Sequence, residues 1–318
     1  MAEFLADFVE KAKERNLYVV YAQVLQDDQV IGAWSRFARM KSDALTAFSG
    51  YSRMESYSMS KSVTAAGAGI AIAEGLITMD ERVAESFPEW TYDVTDPEIL
   101  AITVEDCLKM ASGISTALFF RNSEERRTVR DWGRYVYEHA KFDLHRGTDF
   151  FYCNVNPYLI SCLIERKYGA NMLEYLRYRL FEPLDIRNPD MTQCPMGHTI
   201  ASNGMDINCG EMLRFGQMIL NGGIFRDKQI VPESFVKAAV SPQVNTGMAP
   251  YWNSGADTLD YGYYFWVDTA GQCSYAMGVM GQLCLILPEK NAVISVQSLE
   301  PDTAGVAELI WEYIVKKL

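Results

Sequence analysis

The stretch YSMSKSVTAAGAGIAIAEG, residues 57–75, brings a hydroxyl, an amine and a run of small residues into one segment. From Ala65 to Ala73 it offers no polar face, which is typical of a helix buried on all sides. Gly67 and Gly69 loosely imitate a dinucleotide-binding loop, but Ile72 fills the third glycine position, so close helix packing is the better interpretation. The segment predicts a buried helix and no bound cofactor.

Ser58 and Lys61 stand at the head of this helix, three residues apart and therefore on one face. A hydroxyl beside an amine is a nucleophile beside its base. Lowering a lysine pKa from about 10.4 to about 7 costs about 5 kcal/mol of differential solvation, so only a buried or cation-flanked lysine can serve. The alternative interpretation is that Ser58 caps the helix and Lys61 reaches water.

A second Ser-x-x-Lys pair, Ser234 and Lys237, follows Pro232 and Glu233. Proline and glutamate suit the first turn of a helix, and no apolar segment surrounds the lysine. This copy predicts a solvated surface helix without chemistry.

The residues GTDFFYCN, 147–154, precede a second well-marked helix over 155–169. Asn156 is expected to cap that helix, with Pro157 in its first position and Gly169 at its end. Tyr152 and Asn154 alternate in the extended turn before it, so their side chains should point the same way. A phenol and an amide are therefore presented together, whereas the similar run at 251–253 has no helix behind it.

This order of elements resembles the serine β-lactamase-like hydrolases, a family that includes class C β-lactamases, D-alanyl-D-alanine peptidases, penicillin-binding-protein-like esterases and 6-aminohexanoate-dimer hydrolases. Ser58-x-x-Lys61 is similar to the family's first motif and Tyr152-x-Asn154 to its second. The likeness covers most of the chain and extends to residues 102–113, 180–185, 215–223 and 229–234.

The third family motif is altered in this chain. Relatives carry Lys-Thr-Gly, His-x-Gly or a variant on a late strand, and the matching stretch is residues 276–282, where Val279 stands in place of the cation or ring. In penicillin-recognising members that cation binds the substrate carboxylate, so the resemblance implies that β-lactams and peptide C-termini are disfavoured here. It also implies an oxyanion hole formed by the N–H groups of Ser58 and Gln282, each donor contributing about 3 kcal/mol.

The resemblance implies acyl transfer in two steps. Ser58 attacks an ester or amide carbonyl, Lys61 and Tyr152 move its proton, and water then releases the acyl group. Asn154 would hold Lys61 or the acyl side chain, and which of Lys61 and Tyr152 is the base stays open because coupled groups titrate as a set. The expected function is a serine hydrolase acting on a small ester or amide, with specificity set by loops at 115–150 and 243–260.

Two alternatives remain open at this point. The first, suggested by Val279, is that the chain is a catalytically silent member of the family that binds a ligand or protein partner in the cleft. An acyltransferase would keep the acyl-enzyme and pass the acyl group to an alcohol or amine. The oligomeric state is not determined by the sequence.

Composition agrees with a compact enzyme. The chain has 318 residues, 49% of them apolar, and a net charge of −12, which argues against nucleic acid and anionic membranes as partners. Seven scattered cysteines are typical of reduced thiols in a cytoplasmic protein, and Cys153 is interpreted as a small buried filler. The three histidines lack metal-ligand spacing, so no metal is expected.

The first 15 residues are interrupted by acids and lack the apolar core of a signal peptide, and no run reaches the length of a membrane span. We therefore expect a cytoplasmic protein that makes no use of a membrane.

The strand pattern predicts an α+β fold of the β-lactamase/transpeptidase-like type. Strands are expected at 17–25, 30–36, 261–268, 274–287 and 292–298, with a closing helix at about 303–317. Residues 62 to about 241 have the pattern of helices and loops. The prediction is one antiparallel sheet from both chain ends, flanked by helices, in which residues 1–61 and 242–318 form the sheet subdomain and residues 62–241 form an inserted, mainly helical subdomain.

Overall fold

The computed structural model describes residues 2–37 and 52–318. Its strands are β1 (Val19–Gln26), β2 (Gln29–Ser35), β3 (Met54–Glu55), β4 (Asp190–Met191), β5 (Met205–Ile207), β6 (Ile224–Phe225), β7 (Lys228–Gln229), β8 (Val244–Asn245), β9 (Asp260–Tyr261), β10 (Trp266–Asp268), β11 (Cys273–Gly278), β12 (Gln282–Leu287) and β13 (Ala292–Ser298).

The α-helices are α1 (Glu3–Glu14), α2 (Ser60–Ala73), α3 (Pro88–Thr91), α4 (Pro97–Leu100), α5 (Val104–Leu108), α6 (Glu125–Thr128), α7 (Trp132–His139), α8 (Val155–Tyr168), α9 (Met172–Leu176), α10 (Cys209–Leu220), α11 (Glu233–Ala239) and α12 (Thr303–Tyr313). Short 3-10 turns at Tyr57–Met59, Val83–Ser86, Pro288–Lys290 and Val315–Lys317 and a π-helical turn at Arg177–Phe181 complete them.

The main sheet joins the two ends of the chain, as the sequence predicts. Its strand order is β2-β1-β13-β12-β11-β10-β9-β8, and its paired neighbours are antiparallel. Ala22 of β1 lies opposite Val296 of β13, so the register places apolar side chains together across the ladder. Helix α10 packs on β1, β12 and β13, while α1 packs against α12. The fold is thus an α+β fold with an antiparallel sheet and flanking helices.

Helix α2 is buried along nearly its whole length. A Cβ at Gly67 would lie 2.5 Å from Met172 Cε, and one at Gly69 would lie 2.5 Å from Phe235 Cδ1. The two glycines therefore allow neighbouring side chains to reach the helix axis closely. This packing confirms the buried helix and fixes the position of the residues at its head.

Three expectations about the strands are wrong. Residues 261–268 do not form one strand, since β9 ends at Tyr261 and β10 begins at Trp266. Residues 274–287 form two strands, β11 and β12, because the chain reverses at Val279–Gly281, where Met280 and Gly281 have φ of 66° and 72°. The stretch from 62 to 241 also contains the short strands β4 to β7. Gly278, Gly281 and Gln282 interrupt the apolar sequence and were the available signal for this turn, whereas two-residue strands carry too little periodicity to be recognised.

The division into residues 1–61 with 242–318 and residues 62–241 stays a prediction. Residue 1 and residues 38–51 of that first unit lie outside the described residues. Within the described ranges, none of the helices has the length and apolar character that crossing a bilayer would require.

Candidate active site

Ser58 lies in the 3-10 turn directly before α2. Tyr57, the preceding residue, has φ of 48°, a left-handed conformation that is uncommon for a residue with a side chain. The N-cap position of α2 is occupied by Met59, and no side chain caps the helix. Ser58 is therefore not a helix cap, and its hydroxyl is available to its neighbours.

Lys61 is 1% exposed, so it does not reach water. Its Nζ donates hydrogen bonds to Ser58 Oγ at 2.9 Å, to Asn154 Oδ1 at 2.9 Å and to the Ser202 carbonyl at 2.7 Å. Among the described residues it forms no ion pair. Burial without a counter-charge lowers the pKa of Lys61 to about 7.

Tyr152 is the second titratable group beside Ser58. It lines the cavity together with Ser58, and Lys61 Nζ lies 4.9 Å from the centre of its ring. Burial raises the pKa of Tyr152 above its ordinary value of 10.0, an effect that the neighbouring Ser58 hydroxyl only partly offsets. Ser58 Oγ therefore accepts a hydrogen bond from an amine and has a protonated phenol as a neighbour.

Asn154 occupies the N-cap position of α8 but does not cap the helix. Its Oδ1 accepts from Lys61, and its Nδ2 donates to the Phe119 carbonyl at 3.2 Å, which fixes the orientation of the amide. The expectation that Asn156 caps this helix is wrong, because α8 begins at Val155 and Asn156 is buried inside it. The side chain of Asn154, at the start of the helix, binds Lys61 and does not cap the helix.

Gln282 is not brought to this site. It pairs with Gly278 across the β11–β12 ladder, its side chain is wholly buried, and its Nε2 donates to the carbonyls of Met280 and Ser298. Gly278 is the residue beside the nucleophile, since a Cβ there would lie 2.3 Å from the Ser56 carbonyl oxygen and 3.1 Å from Ser58 N. The hairpin turn between β11 and β12, which the prediction of one strand at 274–287 lacks, places Gln282 at the start of β12 and not beside Ser58.

A cavity of about 270 Å³ opens above Ser58. Tyr152 and Asn154 line it, together with the strand end Met277–Val279. Both loops expected to set specificity contribute, the first through Phe120 and Arg121 and the second through Met248 and Tyr251. Tyr251, whose segment offered no chemistry in sequence, is thus part of the cavity wall.

Sequence reasoning missed Ser202 and the pair of Arg121 and Glu55. Ser202 acts through its main-chain carbonyl, for which a sequence has no signature beyond the Ser-Asn-Gly turn signal at 202–204. Arg121 lies 3.1 Å from Glu55 and donates to the Tyr57 hydroxyl at 2.6 Å. This contact joins segments distant in sequence, so no local pattern could predict it.

Other candidate clusters lack this geometry. Ser234 and Lys237 are both exposed on α11, as expected. A larger cavity, of about 830 Å³, lies against β1 and α10, and the described residues that line it include no Ser, Thr, Cys or His.

Cys162, Glu165 and His198 lie close enough to one another to suggest a metal site. However, the Glu165 carboxylate already accepts from Met172 N, Thr199 N and His198 Nδ1, and burial raises the pKa of the Cys162 thiol. The cluster is thus a hydrogen-bonded link between α8 and its neighbours. All seven cysteines fall within the described ranges, where each is buried with no disulfide, and Cys153 is a buried filler as predicted.

Comparison with known proteins supports the family resemblance that the sequence motifs indicate. A family model described as Beta-lactamase matches residues 4–316. The chain is 27% identical over 262 residues to the 6-aminohexanoate-dimer hydrolase of Paenarthrobacter ureafaciens; the match covers 77% of this chain and 66% of that protein, slightly less than two thirds of its length.

Solved structures share the fold at low sequence identity. An octameric penicillin-binding protein homologue from Pyrococcus abyssi superposes with a TM-score of 0.75 at 18% identity, covering 99% of this chain and 77% of that one. A family VIII carboxylesterase superposes with a TM-score of 0.74 at 15% identity, covering 99% and 96%. At these identities the likeness concerns the fold alone.

Proposed function

The chain belongs to the β-lactamase family, and from this premise we propose that it is a serine hydrolase that forms an acyl-enzyme on Ser58 and hydrolyses a small ester or amide. The observation that carries the proposal is the position of Ser58 Oγ, which accepts a hydrogen bond from Lys61 Nζ at 2.9 Å and shares the cavity wall with Tyr152. A nucleophile held between a base and an acid is the arrangement that acyl transfer requires.

Lys61 is the base in this proposal. With a pKa of about 7, a large fraction of the amine is neutral near neutral pH and can accept the Ser58 proton. The raised pKa of Tyr152 keeps its phenol protonated under the same conditions, so it serves as a donor. Burial thus suits Lys61 to accept a proton and Tyr152 to donate one.

Acylation transfers the acyl group of the substrate to Ser58. Ser58 Oγ bonds to the carbonyl carbon, its proton passes to Lys61 Nζ, and the carbonyl electron pair moves to the oxygen. When the C–O or C–N bond breaks, the leaving group takes the Tyr152 proton, which Lys61 replaces. Water then attacks the acyl carbon by the same route and restores Ser58.

Main-chain N–H groups of Ser58 and Val279 are proposed as the oxyanion donors. This replaces the earlier assignment of Gln282, because the Gly278–Val279 segment lies against Ser58 and lines the cavity, whereas Gln282 does not. Each such donor contributes about 3 kcal/mol in the transition state. Because these donors belong to the backbone, the valine side chain does not remove them, and this supports an active enzyme over a catalytically silent one.

Asn154 is proposed to position Lys61. Its Oδ1 accepts from the amine while Phe119 anchors its Nδ2, and a neutral amide avoids the pKa increase that a carboxylate would cause. The names of two relatives, a 6-aminohexanoate-dimer hydrolase and a family VIII carboxylesterase, are compatible with an ester or amide bond as the target. A cytoplasmic location is supported by seven buried cysteines without disulfides among the described residues.

The test is ester turnover by wild type, Ser58→Ala and Ser234→Ala on p-nitrophenyl butanoate. Ser234 is the control because it heads the exposed second copy of the motif. We expect Ser58→Ala to lose at least about 10³-fold in kcat and Ser234→Ala to retain wild-type activity. Equal turnover by wild type and Ser58→Ala would refute the proposal.

A further inference from the structure

Apolar side chains form most of the wall of the cavity beside Ser58. Six apolar side chains from four separate parts of the chain line it. They are Phe120, Met248, Tyr251, Trp266, Met277 and Val279. Four of these side chains, Phe120, Met248, Tyr251 and Val279, are exposed at its mouth. Exposed apolar side chains gathered at one opening favour an apolar ligand.

The strand side of the cavity carries no charge. Val279 is 60% exposed and Met277 partly buried, and both follow the line of β11 past Ser58. A substrate carboxylate on this side would lose water without gaining a cation, which is unfavourable.

Among the described residues that line the cavity there is one cation, Arg121. Its guanidinium lies 3.1 Å from the Glu55 carboxylate and donates to the Tyr57 hydroxyl at 2.6 Å. Glu55 also lines the cavity, so the pair is close to neutral as seen by a ligand. A carboxylate approaching Arg121 would meet Glu55 as well and would gain little.

We propose that the enzyme selects esters or amides that are small, apolar and uncharged on both sides of the bond to be cleaved, and that Val279 is a determinant of this selection. The inference rests on the proposed function and narrows its substrate class. The size limit follows from the cavity volume of about 270 Å³. This volume lies just below the roughly 300–1,000 Å³ of sites that hold drug-sized ligands.

Three matched esters test the selection. The neutral ester is 3-(methoxycarbonyl)phenyl butanoate, the second is 3-carboxyphenyl butanoate with a carboxylate on the leaving group, and the third is 3-(methoxycarbonyl)phenyl hydrogen glutarate with a carboxylate on the acyl group. We expect kcat/KM for the neutral ester to exceed both others by at least about 30-fold, because an unpaired carboxylate would be desolvated in the cavity. A carboxylate ester cleaved within about threefold of the neutral one would overturn the inference.

Val279→Lys introduces a cation on the strand side and should raise kcat/KM for at least one carboxylate ester about tenfold relative to the neutral ester. Val30→Lys is the matched control, since Val30 is 56% exposed on the edge strand β2 and does not line this cavity. It should leave all three rates unchanged. If Val279→Lys changes the three rates by the same factor, Val279 is not a selectivity determinant.

Failure of the inference and failure of the proposed function give different results. If all three esters are cleaved equally and only when Ser58 is present, the selection is absent but the hydrolase stands. Phosphonylation of Ser58 by a neutral alkyl fluorophosphonate and by one ending in a carboxylate reports the same preference without turnover. Equal labelling rates would overturn the selection, and no labelling by either reagent would overturn the proposed function together with it.

Discussion

Lys61 Nζ lies 2.9 Å from Ser58 Oγ, at the head of a buried helix, and only 1% of the lysine is exposed. The two side chains are three residues apart in sequence, so the helix itself sets their proximity. Asn154, the Ser202 carbonyl and the Tyr152 ring surround the amine, and none of them carries a negative charge. Local geometry and burial together convert an ordinary lysine into a candidate base.

The pH dependence of activity should follow Lys61. Because the amine must be neutral to accept a proton, kcat/KM should rise tenfold per pH unit below the pKa of about 7 and level off above it. The raised pKa of Tyr152 should keep the plateau flat toward the ordinary tyrosine pKa of 10.0. Steady-state kinetics with a neutral ester over this range check the profile. A decline that begins between these two values would contradict the assignment of Tyr152 as a protonated donor.

Asn154→Asp places a carboxylate where Oδ1 now accepts from Lys61 at 2.9 Å. A negative charge at this distance favours the ammonium form and should raise the pKa of Lys61 by about 1–3 units. The rising limb of the pH profile should move up by the same amount, with activity lost at pH 7 and largely recovered at high pH. An unchanged limb would show that Lys61 is not the group that titrates.

Tyr152→Phe removes the phenolic hydroxyl but keeps the ring against Trp266 and Lys61. The loss in kcat should depend on the leaving group, since a nitrophenolate departs without a proton and an amine does not. We expect about a tenfold loss for a p-nitrophenyl ester and about 10³-fold for the matching amide. Comparable losses for both would assign Tyr152 a positioning role instead.

Gly278→Ala should damage the proposed oxyanion hole. A Cβ at this position would lie 2.3 Å from the Ser56 carbonyl oxygen, so β11 must move away from the nucleophile. We expect kcat to fall about 10²-fold with a comparable KM. Gly210→Ala is the control, because the nearest atoms that its Cβ would meet are side-chain atoms of Gln23, at 3.3 Å, Asn208, at 3.5 Å, and Arg214, at 3.8 Å. Thermal melting of both variants separates misfolding from local displacement, and a fully active Gly278→Ala variant would refute this oxyanion hole.

The parts of the site that lie close together in sequence could be predicted from it. Ser58 with Lys61, and Tyr152 with Asn154, are short patterns at the starts of helices α2 and α8, and both patterns are found at the cavity. Their meeting, across 93 residues between Lys61 and Asn154, was expected only from the family resemblance. The antiparallel sheet from both chain ends followed from the distribution of strand patterns.

The rest depends on features that a sequence does not display. The assignment of Gln282 failed because residues 274–287 were predicted as one strand, although Gly278 and Gly281 mark the turn that separates β11 from β12. The Ser202 carbonyl and the Arg121–Glu55 pair depend on tertiary packing. Side-chain identity gives no warning of a main-chain acceptor or of contacts between distant loops.

Intact-protein mass spectrometry after incubation with a fluorophosphonate shows whether Ser58 is an activated nucleophile. Wild type, Ser58→Ala and Ser234→Ala would be compared under the same conditions. We expect a single adduct on wild type and on Ser234→Ala, mapped to the peptide that contains Ser58, and none on Ser58→Ala. An unlabelled wild-type protein, or an adduct that persists in Ser58→Ala, would contradict activation of Ser58 by Lys61 and Tyr152.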